Sequence, residues 1–359
     1  MVKVAAAAVL LLLACASDHD QERAPARPGD GLRAVDVHTH FGPQAADRTV
    51  ELLARHGIDV AVNLSGMYPG GGLEEQLAAA AQHPGHILVF TTPRWSRTRE
   101  GPGYGVRMAD DLSQAAALGA RGLKIAKVLG LGARDAGGRL IPVDAPELDP
   151  LFERAGELGL PVAIHTGDPI AFWARPDENN ERRAELEAHP EWSLWGADVP
   201  SWQELHAALE RRIARHPRTI FIAVHFGNAP EHPEMVAAML DRYPNLYVDT
   251  AARIPEIGRH SADTMRQLFI RHQDRILFGT DLGVGRRLTL GSSGREQPGE
   301  ADIERFFASS WRYFESADRG FPHPTPIQGD WTIDGIHLPP QVLGKIYRGN
   351  AARLFRLPP

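Results

Sequence analysis

Several features that carry function in other proteins are scarce or missing in this chain of 359 residues. Its single cysteine, Cys15, excludes an intramolecular disulfide. The sequence contains no GxSxG motif, phosphate-binding loop, GxGxxG after a strand or CxxC pair. It therefore lacks the motifs of serine hydrolases, P-loop NTPases, dinucleotide-binding enzymes and CxxC redox or metal sites. The formal net charge is −6 and no long basic run is present, which argues against nucleic acid or an anionic membrane surface as the main partner.

The chain also offers only a short hydrophobic run at its N-terminus. Lys3 is followed by an apolar stretch from Val4 to Leu13, too short to span a bilayer as a helix, as in a secretory signal peptide. Leu12-Leu13-Ala14-Cys15 resembles a bacterial lipobox. Residues 1–15 are therefore predicted to be a lipoprotein signal peptide with lipidated Cys15, and 16–31 a polar tether. The expected location is the outer membrane, facing the periplasm; plain secretion is the alternative.

From residue 32 to 359 the sequence predicts one α/β domain. Strand-like and helix-like segments alternate, which is typical of a parallel sheet covered by helices. Eight strand-like runs in about 250 residues match a (β/α)8 TIM barrel with long loops at the C-terminal face. The runs are 33–40, 59–65, 87–92, 121–126, 161–166, 219–225, 245–250 and 275–281.

Histidines and one aspartate stand at the ends of four of these runs. His38 and His40 share one strand face because side chains alternate along a strand. His165, His225 and Asp281 end runs five, six and eight, at the barrel face where active sites form. Imidazoles together with a carboxylate make a suitable first shell for a divalent metal.

Lysine is rare, since only four of the 39 basic residues are lysines. Two of them, Lys124 and Lys127, stand in the fourth strand run, which suggests a task that arginine cannot perform. Lys124 is expected to point into the barrel, where a neutral amine could be carbamylated to bridge two metals and an ammonium could bind a substrate carboxylate. The alternative for both lysines is that they are present by chance and have no such task. Arg253, after the seventh run, is a second candidate for a substrate carboxylate, with structural hydrogen bonding as its alternative.

Two further expectations concern the loops and the remaining histidines. Residues 167–202 hold four of the seven tryptophans and are expected to form a lid, with 282–300 opposite; a satellite core on the barrel side is the alternative. Twelve histidines in polar or loop contexts are expected at the surface: His19, His56, His83, His86, His189, His206, His216, His232, His260, His272, His323 and His337.

The motifs VDVHTHFG, AIHTGDP, VHFGN, ILFGTDL and KIYRGNAARLF resemble the amidohydrolase superfamily. The similarity covers residues 33–357 and is to the amidohydrolase-related branch, which includes aminocarboxymuconate-semialdehyde decarboxylase and related predicted metal-dependent hydrolases. This resemblance implies an acid/base role for His225. It also implies four metal ligands: His38, His40, His165 and Asp281.

The expected function is a metal-dependent hydrolase acting on a C–N or C–O bond of a small organic carboxylate, lactone or amide. One zinc ion is expected, or two if Lys124 is carbamylated. A divalent ion lowers the pKa of bound water to about 7, which supplies hydroxide at neutral pH. Asp281 would orient or deprotonate the water, and His225 would protonate the leaving group. The alternatives are a decarboxylase or other lyase, and a metal-containing lipoprotein without turnover. Membrane contact is expected through the lipid only, and oligomers are left open.

Overall fold

The computed structural model describes residues 31–357. The predicted signal peptide, lipidated Cys15 and residues 16–30 of the predicted tether lie outside the described residues. Across 31–357, no helix has both the length and the apolar character needed to cross a membrane.

Eight parallel strands form the barrel, and neighbours in sequence are neighbours in the sheet. Two backbone hydrogen bonds close it: the Val37 N–H donates to the Phe278 carbonyl (3.0 Å) and the Asp281 N–H to the His38 carbonyl (2.9 Å). The predicted TIM barrel is confirmed. Its strands are Ala34–Phe41 (β1), Ile58–Asn63 (β2), Ile87–Thr91 (β3), Gly122–Ile125 (β4), Val162–Ile164 (β5), Phe221–Ala223 (β6), Leu246–Asp249 (β7) and Ile276–Leu277 (β8).

A helix follows each strand and covers the outside of the barrel. The helix Trp202–Arg215 shows the local cause clearly: Ser201 caps its N-terminus by accepting from the Glu204 N–H, and the Glu204 side chain accepts from the Ser201 N–H. The helices that follow β1 to β8 in turn are Ala46–Arg55, Leu73–Ala81, Tyr104–Leu118, Asp149–Leu158, Trp202–Arg215, Pro233–Arg242, Ala262–Arg271 and, after an inserted helix Glu300–Glu315, Asn350–Phe355.

The barrel interior is apolar at its lower end. Small and branched side chains from the strands fill it, and the closing helix Asn350–Phe355 adds Ala351 and Phe355 to the same cluster. A larger apolar cluster lies between the strands and the outer helices. Because both faces of each strand are buried, the strands read as near-continuous apolar runs in the sequence.

A β-bulge in β1 changes the direction of its side chains. Between Asp36 and Thr39, β1 advances three residues while β2 advances two, from Ala61 to Asn63. Val37 therefore belongs to the apolar interior, while the next residue, His38, already faces other histidines at the barrel mouth.

Two long segments lie over the mouth. The one after β5 contains the short helix Arg183–Ala188, and the one after β8 contains the strands Leu282–Val284 (β9) and Leu288–Leu290 (β10). They contact each other, since the His189 Nε2 lies 2.7 Å from the Ser293 carbonyl oxygen and the Arg295 Nη2 donates to the Glu187 carbonyl at 3.1 Å. These contacts close one side of the mouth.

Candidate active site at the barrel mouth

The two β1 histidines meet the β8 aspartate. The Nε2 atoms of His38 and His40 lie 3.4 Å and 3.3 Å from the Asp281 Oδ1. The other ring nitrogen of each is engaged elsewhere: the His38 Nδ1 lies 2.9 Å from the Asp249 Oδ2, and the His40 Nδ1 lies 2.7 Å from the Ser65 hydroxyl. Both histidines thus present Nε2 to the same carboxylate.

His165 and His225 extend the cluster across the mouth. The His225 ring centroid lies 4.4 Å from that of His165 and 4.6 Å from that of His38. One ring nitrogen of His38, one of His225 and one carboxylate oxygen of Asp281 all lie within 4.8 Å of one another. The tightest metal-type grouping among the described residues therefore includes His225, which the sequence resemblance assigns to acid/base chemistry.

The charge states suit metal binding. Burial lowers the pKa of His38 and lowers those of His165 and His225 well below the usual value, so all three imidazoles are neutral and keep a lone pair. Burial alone would raise the pKa of the Asp281 carboxyl, but the charge that His38 and its neighbours carry when protonated, together with a hydrogen bond from His40, lowers it well below its usual value, so Asp281 stays ionised when the histidines lose their protons. The site thus combines neutral nitrogens with an ionised carboxylate.

The backbone turns sharply where these side chains are presented. His225 and Asp281 have φ values of 58° and 63°, in the left-handed region that non-glycine residues rarely adopt. The predicted strands 219–225 and 275–281 therefore end earlier, at Ala223 and Leu277, because the sheet ladder stops before these turns. Strain of this kind clusters at functional sites.

A cavity of about 350 Å³ lies above the histidines. Phe172 and Trp192, from the segment after β5, form an apolar wall. Glu185, Ser292 and Gln328 contribute polar groups. A larger groove of about 570 Å³ lies beside the helix Trp202–Arg215, but no histidine of the described chain lines it.

The two lysines near the mouth differ in their hydrogen-bond partners. Lys127 lies on the cavity rim, where its Nζ donates to both Asp168 oxygens at 2.8 and 3.0 Å. Lys124 is buried, and its Nζ has no hydrogen-bond partner among residues 31–357. Burial lowers the pKa of Lys124 to about 8, against the opposing effect of Asp249 and Asp281.

Arg253 is buried and lines the cavity beside the histidines. Its Nη1 donates to the Ala252 carbonyl at 3.0 Å and its Nη2 to the Asn228 Oδ1 at 3.5 Å, while its Nε has no hydrogen-bond partner within residues 31–357. Unlike Lys127, it forms no ion pair with a carboxylate of the described chain.

The cavity brings together most of the residues singled out in the sequence, and others lie just outside it. His40, His165, His225, Arg253 and Asp281 line it. His38 and Lys124 are buried close to it: the His38 ring meets that of His225, and Lys124 is near enough to His38 and His165 to lower the pKa of both.

The prediction that the tryptophans of residues 167–202 form a lid over the cavity holds only in part. Trp192 lines the cavity, Trp202 packs in the core beneath its own helix, and Trp195 is 55% exposed. Phe172, Glu185, Ser292 and Gln328 were not singled out in the sequence. These four residues belong to segments that lie far apart in the chain and meet only at the cavity. No sequence motif therefore identifies them as lining residues.

The surface assignment is wrong for four of the eleven other histidines that the structure describes, while His19 lies outside the described residues. His206 packs its ring on Trp202, with centroids 4.0 Å apart, and His216 packs edge-on against Phe152. These buried histidines have polar neighbours in the sequence, but they lie on the inner faces of helices or under loops. The buried members are His206, His216, His272 and His323.

Comparison with known proteins agrees with this architecture. The family model described as amidohydrolase matches residues 35–357. A search of curated proteins found no match.

Solved structures share the fold at low sequence identity. Dihydroxybenzoic acid decarboxylase from Polaromonas sp., with bound manganese and 2-nitroresorcinol, is 15% identical, with a TM-score of 0.51 over 91% of this chain and 97% of that one. 5-Carboxyvanillate decarboxylase from Sphingomonas paucimobilis is 14% identical, with a TM-score of 0.51 over 91% and 100%. A probable 2-pyrone-4,6-dicarboxylic acid hydrolase from Acinetobacter baumannii, with citric acid bound, is 11% identical, with a TM-score of 0.51 over 90% and 100%.

These structures include both decarboxylases and a hydrolase, and at such identities they establish the fold alone. The family model covers nearly all of the described chain. This protein therefore belongs to the amidohydrolase family, in the branch predicted from its sequence motifs.

Proposed function

We propose that this protein is a metal-dependent hydrolase of C–N or C–O bonds in small organic substrates. The observation that carries the proposal is the meeting of the His38 and His40 Nε2 atoms with the Asp281 carboxylate, at 3.4 and 3.3 Å, at the floor of a 350 Å³ cavity. Such a cluster, at the C-terminal face of a barrel, stands where this fold positions its chemistry.

The residues fit a divalent metal ion. The Nε2 atoms of His38 and His165 are buried and have no hydrogen-bond partner among the described residues, a costly arrangement that a cation would relieve. When bound, the ion would supply Lewis acidity and water that ionises near neutral pH. We propose zinc, held by His38, His40, His165 and Asp281.

His225 and Asp281 would move the protons. The Ala251 carbonyl lies 3.0 Å from the His225 Nδ1, and since a carbonyl only accepts, Nδ1 carries the hydrogen and Nε2 is left free to take or give a proton. The ionised Asp281 carboxylate would orient the attacking water and accept its proton. That proton would pass to the free His225 Nε2 and from there to the leaving group.

The substrate would carry a carboxylate next to a planar or apolar body. The buried guanidinium of Arg253 has no ion pair in residues 31–357, although Glu185, Glu231 and Asp168 act on it from farther away, and an anionic substrate group could form that ion pair. Phe172 and Trp192 offer an apolar wall for the rest of the molecule. Lys124 is a second proposed contact, although it lies deeper than the cavity lining.

A two-metal site is the alternative at the same place. It is favoured by the close grouping of His225 with His38 and Asp281, and by the unpartnered Lys124 amine, which carbamylation would convert into a bridging ligand. Metal analysis separates the two arrangements. About two ions per chain, falling in Lys124→Arg, would support the two-metal site, whereas one ion, unchanged in that variant, supports the mononuclear one.

Decarboxylation is the second candidate reaction. It is favoured by the same Arg253, which would hold a carboxylate beside the histidines, and by the similarity in fold to two decarboxylases. His225 would then take a proton from solvent water on its free Nε2 and deliver it to the carbon that loses carbon dioxide.

A substrate screen with metal-loaded protein tests the proposal. Lactones, amides, N-acyl amino acids and aromatic carboxylic acids should be compared, with ¹⁸O-water to follow incorporation. Hydrolysis with ¹⁸O in the product, abolished in His225→Asn with metal retained, supports the proposed reaction. Carbon dioxide release without ¹⁸O in the organic product would select the lyase instead.

A further inference from the structure

The carboxyl group of Asp249, at the end of β7, is fully buried and contacts the site from behind. Its Oδ2 lies 2.9 Å from the His38 Nδ1. Its Oδ1 accepts the backbone N–H groups of His225 at 2.7 Å and Ala251 at 3.2 Å. One side chain therefore contacts both a proposed ligand and the backbone of the proposed acid/base.

The contact with His38 determines which ring nitrogen is free. A carboxylate only accepts hydrogen bonds, so the His38 Nδ1 facing it must carry the hydrogen. The Nε2 atom is then left with its lone pair, and this is the atom that lies 3.4 Å from the Asp281 Oδ1. The opposite tautomer would place a hydrogen where a metal must bind.

The contacts with the backbone hold the turn after β6. His225 has φ 58° and ψ 44°, a strained conformation for a residue with a side chain. Its N–H cannot continue the β6 ladder from there, and the Asp249 Oδ1 accepts it instead. These two backbone bonds also fix the carboxyl plane, which leaves Oδ2 aimed at His38.

We propose that Asp249 is a positioning residue that sets two features of the site at once: the Nδ1–H tautomer of His38 and the backbone turn that presents His225. Its importance for turnover rests on the proposed function. The tautomer and the turn do not, since both belong to the metal-free protein.

The first test reads the tautomer directly. Metal-free protein labelled with ¹⁵N-histidine should give long-range proton–nitrogen spectra at neutral pH, with His38 identified by the signals missing in His38→Gln. The expected pattern is a protonated, pyrrole-type Nδ1 and a pyridine-type Nε2. A protonated Nε2 in the wild-type protein would overturn the proposal, whatever the enzyme's activity.

The second test uses Asp249→Asn. The introduced asparagine side chain can still accept the two backbone N–H groups through its oxygen, but its amide would donate to His38. We expect the His38 hydrogen to move to Nε2 and the affinity for Zn²⁺, measured with a competing chelator, to fall about 10- to 100-fold. An unchanged tautomer or an affinity close to that of the wild type would contradict the assignment.

Asp36→Asn is the matched control. Asp36 is equally buried and accepts the His38 backbone N–H at 3.0 Å, but it contacts no imidazole. This variant should keep the wild-type His38 tautomer. If it shifts the tautomer as Asp249→Asn does, the effect reflects general disturbance of β1 and the proposal fails.

Asp249→Ala separates the backbone role from the tautomer role. It leaves two buried N–H groups without their acceptor, so its unfolding midpoint should lie below that of Asp249→Asn. Equal midpoints for the two variants would remove the claim that Asp249 holds the His225 turn.

Discussion

The fully buried arginines of this protein show why Arg253 matters. Arg182 contacts Glu185 and Glu256, and Arg212 contacts Asp149, so each has a carboxylate within ion-pairing distance. Arg253, also buried, contacts only a carbonyl and an amide oxygen in the described chain. Burying a cation without an ion pair is unfavourable, and Glu185, Glu231 and Asp168 act on Arg253 only from beyond ion-pairing distance. The position of Arg253 in the cavity wall supports the proposed substrate carboxylate as the missing partner.

The corresponding prediction is a loss of substrate binding in Arg253→Gln. Removing a charge-assisted hydrogen bond costs about 1.5–3 kcal/mol, so KM for a carboxylate substrate should rise about 10- to 100-fold, with a smaller change in kcat. Steady-state kinetics on the carboxylate and on its neutral amide analogue measure this. An equal loss for both compounds would show that Arg253 does not recognise the carboxylate.

Among the elements, the two segments over the mouth depend on a few contacts. The His189 ring stacks on Trp192 at 3.8 Å between centroids, and its Nε2 lies 2.7 Å from the Ser293 carbonyl oxygen. This histidine thus joins the apolar wall of the cavity to the segment after β8. Phe172, the other aromatic residue of the wall, is linked to His189 through Trp192, since its ring lies nearly parallel to that of Trp192 with centroids 6.3 Å apart.

We expect His189→Ala to loosen both segments. Amide hydrogen exchange should increase in residues 183–195 and 288–295 while the barrel strands stay protected, and KM should rise more than kcat falls. His83→Ala is the control, since His83 makes a comparable 2.7 Å contact with Asp47 on the surface. Exchange in His189→Ala that matches this control would contradict a role in holding the lid.

The helix Trp202–Arg215 gives a pH-dependent prediction. Burial lowers the pKa of His206 from 6.5 to about 4, so between these values the unfolded chain binds a proton that the folded protein does not. Stability therefore falls as the pH drops from 6.5 to 4, by at most roughly 3 kcal/mol from this residue, and the residue has no such effect above pH 6.5. Thermal midpoints across this range should fall less steeply in His206→Phe. Parallel slopes would contradict the prediction.

On the scale of the whole molecule, the strand positions could be predicted from the sequence and the cavity could not. All eight strands lie within or beside their predicted runs, because strands buried on both faces leave continuous apolar stretches. The bulge at His38 and the turn at His225 produce no recognisable sequence pattern. Each depends on pairing with residues far away in the chain: the bulge on the register with β2, and the turn on the Asp249 Oδ1. The lining residues Phe172 and Ser292 likewise meet only after folding.

We propose that the mature chain is attached to a membrane through a lipid on Cys15. Leu12-Leu13-Ala14-Cys15 predicts cleavage before Cys15 and acylation of that residue, and two or more acyl chains anchor a protein stably. Mass spectrometry of the mature N-terminus should therefore find a lipid-modified Cys15 in the outer-membrane fraction. An unmodified start at Ser17 would mean plain secretion.

The most direct test of the account is elemental analysis of the purified protein after growth with zinc, iron and manganese. The convergence of His38 and His40 on Asp281, together with a His165 Nε2 that has no hydrogen-bond partner in residues 31–357, predicts about one transition-metal ion per chain, with zinc preferred. His38→Ala should lose the ion and His83→Ala should keep it. Protein that is folded but binds no stoichiometric metal under any of these conditions would contradict the central claim.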